Sequence, residues 1–248
     1  SHLWGRRFVF VTAGVLFLVF SIPLFKWVPE RKVSNPQRPN WSILLEEWKR
    51  VGKTAAFVIK EKPLLFFFLG NFFLVDGVNT AIFWLVVYMQ RVFLPSPNHL
   101  LFIFLSLNFS AFLFGFLAGW LTDRFSAAKV LLASAITFFV TFLALGLSGS
   151  FWTFAVFAWT GGAFSMAAAG TAGRKRVAEL APPDSIGEYF GFYNLTTKIS
   201  VIGSLVFSLI ADWWGFRAAI LSGMVPTGLA IACFFIAERT EDNSPAGR

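Results

Sequence analysis

Two charges stand inside apolar sequence. In "NFFLVDGVNTAIFW", Asn71 to Trp84, Asp76 follows a run of mostly Leu, Phe and Gly and precedes a second apolar run that ends near Met89. Lys198 has a similar setting in "GFYNLTTKISVIGSLVF". A lone charge in hydrocarbon costs about 2.5–3.5 kcal/mol even on lenient insertion scales. Each therefore needs a partner, a wet cavity or a use. Amides and hydroxyls lie nearby: Asn71, Asn79 and Thr80 around Asp76, Asn194 beside Lys198, and Asn108 in the segment between. A carboxylate that exchanges a proton, with polar groups to hold a solute, is the chemistry of a coupled pathway through a membrane. Asp76, Lys198, Asn71, Asn79, Thr80, Asn108 and Asn194 are the candidate pathway or coupling residues.

Other chemistries find little support. No acyl-transfer pair, zinc pattern or nucleophile motif lies in the apolar segments, so no enzyme is expected. His2 and His99 are far apart and Cys233 is the only cysteine, so neither a metal site nor a disulfide is expected. The "VGKT" of Val51 to Thr54 lacks the earlier glycine of a phosphate loop, because position 47 is Glu. No cofactor is expected. The net charge of +8 sits between apolar blocks and not on one soluble face, so it indicates membrane topology and not nucleic acid.

Composition explains the setting of those charges. Of 248 residues, 56% are hydrophobic and only 14% charged, with 33 Phe and 10 Trp. The apolar residues fall in blocks of about 20, the length that spans a bilayer. This is an all-α, multi-pass membrane protein with seven expected spans: 7–28, 64–90, 99–121, 129–148, 151–173, 188–212 and 216–237. The first span follows Arg6 and Arg7 but is too long for a signal-peptide core and has no cleavage site. Of the 21 Lys and Arg, 16 fall on the side of the long loop and the C-terminus, four on the other, and Lys198 within a span. The long loop and the tail 239–248 are thus expected in the cytoplasm.

Within that frame the spans differ. The first, fourth and seventh are nearly featureless and suit a lipid-facing periphery. The second, third and sixth carry the polar residues, and the fifth is rich in Gly, Ala and Ser. Ser200, Ser204 and Ser208 form a small-residue stripe on the sixth, as in ordinary bundle packing. Asp76 and Lys198 lie at depths of about 18 and 15 Å from the inner ends of their spans, counted at 1.5 Å per residue. Three arrangements are open: a direct pair, a pair bridged by Asn79, Asn194 or water, and separate solvation in a wet cavity. The linker 29–62 opens with "PERKVSNPQRPN", then repeats Trp41, Leu44, Trp48, Val51, Ala55 and Val58 at steps of three and four. That is the pattern of an amphipathic helix on the membrane surface, or of one packed on other loops.

Two stretches carry a family resemblance. "GFLAGWLTDRFSAAK", Gly115 to Lys129, resembles the G-x-L-x-D-R-x-G-R-K loop of the major facilitator superfamily, with Gly119, Asp123, Arg124 and Lys129 matching. Ser126 replaces the motif's glycine and Ala128 a base. "RVAELAPPDSIGEYFGFYNLTTKISVIGSLVF" resembles the E-F-F-G-x-Y-x-x-x-x-K-x-x-x-x-G segment of the vacuole-effluxer-like branch, named for autophagy-related amino-acid effluxers. "FSIPLF" and "DGVNT" resemble that branch as well; Gly170, Gly173 and Ser204 depart from it. The resemblance implies that the spans are helices 6–12 of a twelve-helix transporter with inverted repeats. Residues 1–28 would be the last helix of the N-terminal half and 63–238 the six-helix C-terminal half. The missing N-terminal half and the bilayer would be its partners, and Gly119, Asp123, Arg124 and Lys129 would form a cytoplasmic gate loop.

The function expected from these readings is secondary active transport of a small solute by alternating access, proton coupled through Asp76 and Lys198. The resemblance adds amino acids as the solute class and the plasma (inner) membrane as the location. The competing reading is a seven-helix receptor or scaffold without transport, but such a protein has no evident need for the D-R loop.

Overall fold

The computed structural model describes residues 2–27, 49, 52, 55–183 and 185–242. It divides into two units, 1–44 and 45–248. In the first, α1 (His2–Trp27) is one helix with Pro23 inside it. Trp41, Leu44, Trp48 and Val51 of the expected amphipathic helix lie outside the described residues, whereas 55–60 are helical with Val58 buried.

The second unit is a helical bundle. Its elements are α2 (Lys62–Val92), α3 (Pro97–Arg124), α4 (Ala127–Leu147), α5 (Phe151–Phe157), a π-helical segment (Ala158–Gly162), α6 (Ala163–Leu180), α7 (Ile186–Ile199), α8 (Ile202–Trp214), α9 (Phe216–Ser222) and α10 (Met224–Asp242). Serine caps set several starts: Ser96, Ser126 and Ser150 accept bonds from the backbone N–H of His99, Lys129 and Thr153. Ser126 does so from φ 141° and ψ 155°, a conformation that glycine adopts without strain. This is the position where the loop motif has glycine.

Six described helical stretches are long and apolar enough to cross a membrane, two of them built of consecutive helices. The expected fifth span is helical from Phe151 to Leu180 but built of three segments, α5, the π-helical segment and α6, and is not among the six. The expected sixth span is broken at Ser200–Val201 into α7 and α8. It is not a single helix.

Burial also departs from expectation. The featureless fourth and seventh spans, expected at the periphery, are 50% and 39% buried, against 6% for α3 and 11% for the Ile186–Trp214 span. The buried hydroxyls of α4 and α10, Ser134, Thr141 and Thr227, are satisfied by backbone carbonyls, so α10 can pack closely by shape against α2 and α4, which is what drives helix association in lipid. Phe138 and Phe142 lie with ring centroids 4.7 Å apart, and Tyr88 stacks on Phe154 at 5.1 Å. The polar third and sixth spans instead leave broad faces exposed.

Candidate functional site

A helix broken inside a bilayer exposes backbone groups that lipid cannot satisfy. At Ser200–Val201, two side chains of α2 satisfy them. Asn79 Nδ2 donates to the Ser200 carbonyl at 2.7 Å. The Gly203 N–H, second residue of α8, donates to both oxygens of Asp76 at 2.9 and 3.0 Å. Asp76 and Asn79 are three residues apart and so share a face of α2. The carboxylate also sits where the α8 dipole is positive.

This answers what offsets the Asp76 charge. Asp76 is 5% exposed, and no cation lies within ion-pair distance of it among the described residues. Lys198 is exposed on α7 and does not pair with it. The direct pair is thus replaced by a helix terminus. Similar depth places two residues on one level, but the Lys198 side chain is exposed whereas Asp76 is buried against α8.

Gly203 makes the contact possible. A Cβ there would lie 2.5 Å from Asp76 Oδ2 and 2.7 Å from Thr80 Oγ1, so only hydrogen fits. One turn further, Trp84 Nε1 donates to the Ser204 hydroxyl at 2.9 Å and its ring stacks on Phe207 at 4.9 Å. Asp76, Thr80 and Trp84 recur every four residues on the face of α2 that meets α8, and Asp76 and Trp84 bond to it. Gly203 and Trp84 were not singled out from sequence. The glycine was legible as the last position of the E-F-F-G segment; the indole nitrogen left no signal.

Thr80 is 3% exposed and its hydroxyl has no hydrogen-bond partner. Thr122, Thr141, Thr160 and Thr227 each bond back to the carbonyl four residues earlier. Thr80 does not. It lines, with Asp76, a cavity of about 240 Å³ between α2, α8 and the α9–α10 turn.

The other candidates lie apart from this clamp. Asn71 is fully buried, with neither polar atom of its amide partnered. It faces Gly173, where a Cβ would meet Tyr193 Oη at 2.6 Å and Asn71 Oδ1 at 3.3 Å. Asn108 donates to the Phe104 carbonyl of its own helix and lines a second cavity, of about 260 Å³, with α2, α4 and α6. Its walls are otherwise apolar, and the π-helical segment contributes Ala158 and Gly162. Asn194 is exposed.

At the D-R loop, Asp123 pairs with Lys175 of α6 at 2.7 Å, and Lys175 also donates to the Thr122 carbonyl at 3.2 Å. Arg124 lies over the Trp120 ring at 5.5 Å, while Gly119 has open space beside it and the Lys129 side chain is exposed. Arg176 pairs with Glu179 and with Glu241 of α10. Sequence reading counted Lys175 and Arg176 only as topology charges; the structure makes them partners. No group of residues suited to holding a metal occurs among the described residues.

A helical bundle with a broken, side-chain-clamped span and an ion-paired D-R loop is the class of half a major facilitator fold. The solved structure of the proton:xylose symporter XylE bound to 6-bromo-6-deoxy-D-glucose superposes with a TM-score of 0.61 over 73% of this chain and 45% of that one, at 18% identity, a likeness of fold. The profile of the family described as "Vacuole effluxer Atg22 like" matches residues 1–239, and the chain belongs to that family. It is similar to the uncharacterized MFS-type transporter YxiO of Bacillus subtilis, 27% identical over 95% of this chain and 54% of that protein. It is also similar to autophagy-related protein 22 of Yarrowia lipolytica, 25% identical over 86% of this chain and 41% of that protein. The chain thus spans about half the length of these curated relatives.

Proposed function

We propose that this chain forms the C-terminal part of a secondary transporter that moves a small solute by alternating access. The observation that carries the reading is the break at Ser200–Val201, held by Asp76 and Asn79. Discontinuous spanning helices occur where transporters bind solute and ions, and a break clamped by two side chains can be released by changing either. Similarity to an MFS-type transporter and to an autophagy-related protein supports the reading. The family description, a vacuole effluxer, favours export, and the resemblance of the Glu188–Gly203 segment to the effluxer branch favours amino acids as the solute class.

Proton coupling is assigned to Asp76. Protonation removes the charge that complements the α8 terminus and so weakens the clamp. Lys198, Asn194 and Asn108, on the exposed faces of α7 and α3, face the solute or an N-terminal half. Asn71, buried between α2 and α6, supports the inner end of the pathway. Asp123 and Lys175 brace a cytoplasmic gate, with Gly119, Arg124 and Lys129 in the same loop, and the C-terminus lies in the cytoplasm of a plasma-membrane protein.

Proteoliposomes of the full-length protein test this. Asp76→Asn, which retains an acceptor for Gly203, abolishes uphill transport driven by a pH gradient but preserves solute exchange. Loss of exchange together with uphill flux would assign Asp76 a structural role only. Lys198→Met leaves stability within about 0.5 kcal/mol, as expected for an exposed, unpaired position.

A further inference from the structure

The cavity beside Asp76 has a composition that selects a ligand. Its polar groups are the Asp76 carboxylate, the Thr80 hydroxyl and the Ser222 hydroxyl, and Ser222 already donates to the Ala219 carbonyl at 2.7 Å. No Lys, Arg or His lines it. Its walls are rings and aliphatic chains, including Phe72, Phe73 and Ile210. Its mouth is edged by Val206 and Val225, 43% and 64% exposed on helices of spanning type.

From this we infer a binding site for hydrophobic monoamines, with the ammonium on Asp76 and Thr80 and the apolar body between α8 and α10. The reading goes beyond the transport proposal and does not depend on transport occurring. Gly203 supplies one N–H to Asp76, which leaves lone pairs on both carboxylate oxygens for a cation. The Thr80 oxygen has a lone pair to accept from the ammonium and no competing bond. A neutral ligand would leave the carboxylate with the Gly203 N–H and the α8 terminus alone and would gain nothing from its charge. A zwitterion would bring a second carboxylate into apolar surroundings with no cation to meet it, which is costly. A volume of about 240 Å³ is at the small end for ligand cavities, enough for one aromatic ring on a short chain.

The experiment uses the protein in lipid nanodiscs and three probes that share a ring: 2-phenylethylamine, 2-phenylethanol and phenylalanine. Binding is read as thermal stabilisation and by calorimetry, with empty nanodiscs subtracted for partition into lipid. The amine binds saturably; the alcohol and the amino acid bind at least about tenfold more weakly, since they lack a charge for the carboxylate or add an unmatched one. Asp76→Asn weakens amine binding by about tenfold or more. Val206→Trp fills the mouth with the carboxylate intact and weakens it likewise, so the proposal is still judged if Asp76→Asn does not fold. Equal affinity for the alcohol would show an apolar cavity only, and equal affinity for phenylalanine an amino-acid site; either overturns the inference. Unchanged amine binding in Val206→Trp overturns it too. Amine binding together with a failure of the full-length protein to transport solute in proteoliposomes would leave the inference standing and sink the transport reading alone.

Discussion

Two of the places where helices are fastened by charged side chains follow opposite physics. At the α2–α8 clamp a carboxylate 5% exposed is satisfied by a backbone N–H and a helix terminus. At the D-R loop Asp123 and Lys175 meet as full charges, with side chains 79% and 38% exposed. The first lies in apolar surroundings, where an orphaned group is expensive and each partner is demanded. The second lies toward water, where either charge is solvated if the pair opens. The clamp is therefore costly to open, and the ion pair opens at little cost.

The largest break in that comparison comes from Gly203→Val. Its side chain would displace both Asp76 and Thr80, so folded yield and melting temperature fall, with a cost of about 3 kcal/mol or more. A wild-type melting curve would mean that α8 does not approach α2 this closely.

Next in size are Asp76→Leu and Asn79→Leu. Each strands one backbone group at the break and costs about 1–3 kcal/mol in thermal or denaturant unfolding. Asp76→Asn and Asn79→Gln retain the bonding capacity and cost less. Equal losses for the Leu and amide replacements at 76 would show that charge, not the hydrogen bond, holds α8.

Ser126→Gly has the opposite sign. It loses a cap that glycine replaces at a cost of only a few tenths of a kcal/mol, and relieves a backbone conformation that costs about 1–3 kcal/mol in other residues. A gain of about 1 kcal/mol in stability is expected. Destabilisation would show that the hydroxyl bond to Lys129 matters more than the backbone strain.

The smallest effect is at the ion pair. Asp123→Asn or Lys175→Met changes stability by about 0.2–1 kcal/mol, and added salt narrows the difference from wild type. On the transport proposal, solute exchange by the full-length protein changes more than the melting temperature does. A loss as large as that of Asp76→Leu would erase the distinction between the two regions.

Much was legible before any coordinates. Apolar blocks of bilayer length gave the helices, because a chain in lipid has few other ways to satisfy its backbone. The isolated charge at Asp76 marked the second span as special for the same reason. Asp123 was marked by its loop motif, but its partner was hidden within "GRKR", where three adjacent bases look alike until helix phase singles out Lys175.

What only the tertiary structure decided is where those groups point and what meets them. Ser200 and Val201 have no proline or glycine between them to announce a break, and the segment is stable as two helices because α2 brings Asn79 and Asp76 to the exposed backbone. Residue spacing placed Asp76 and Lys198 at one depth but carried no information on rotation between helices, so opposite charge suggested a pair that the packing does not make. The sequence alone determined that a charge in the second span required compensation, since desolvation depends on the local apolar run. That a helix terminus supplies it was decided by the approach of α8 at Gly203, a contact 127 residues distant in the chain.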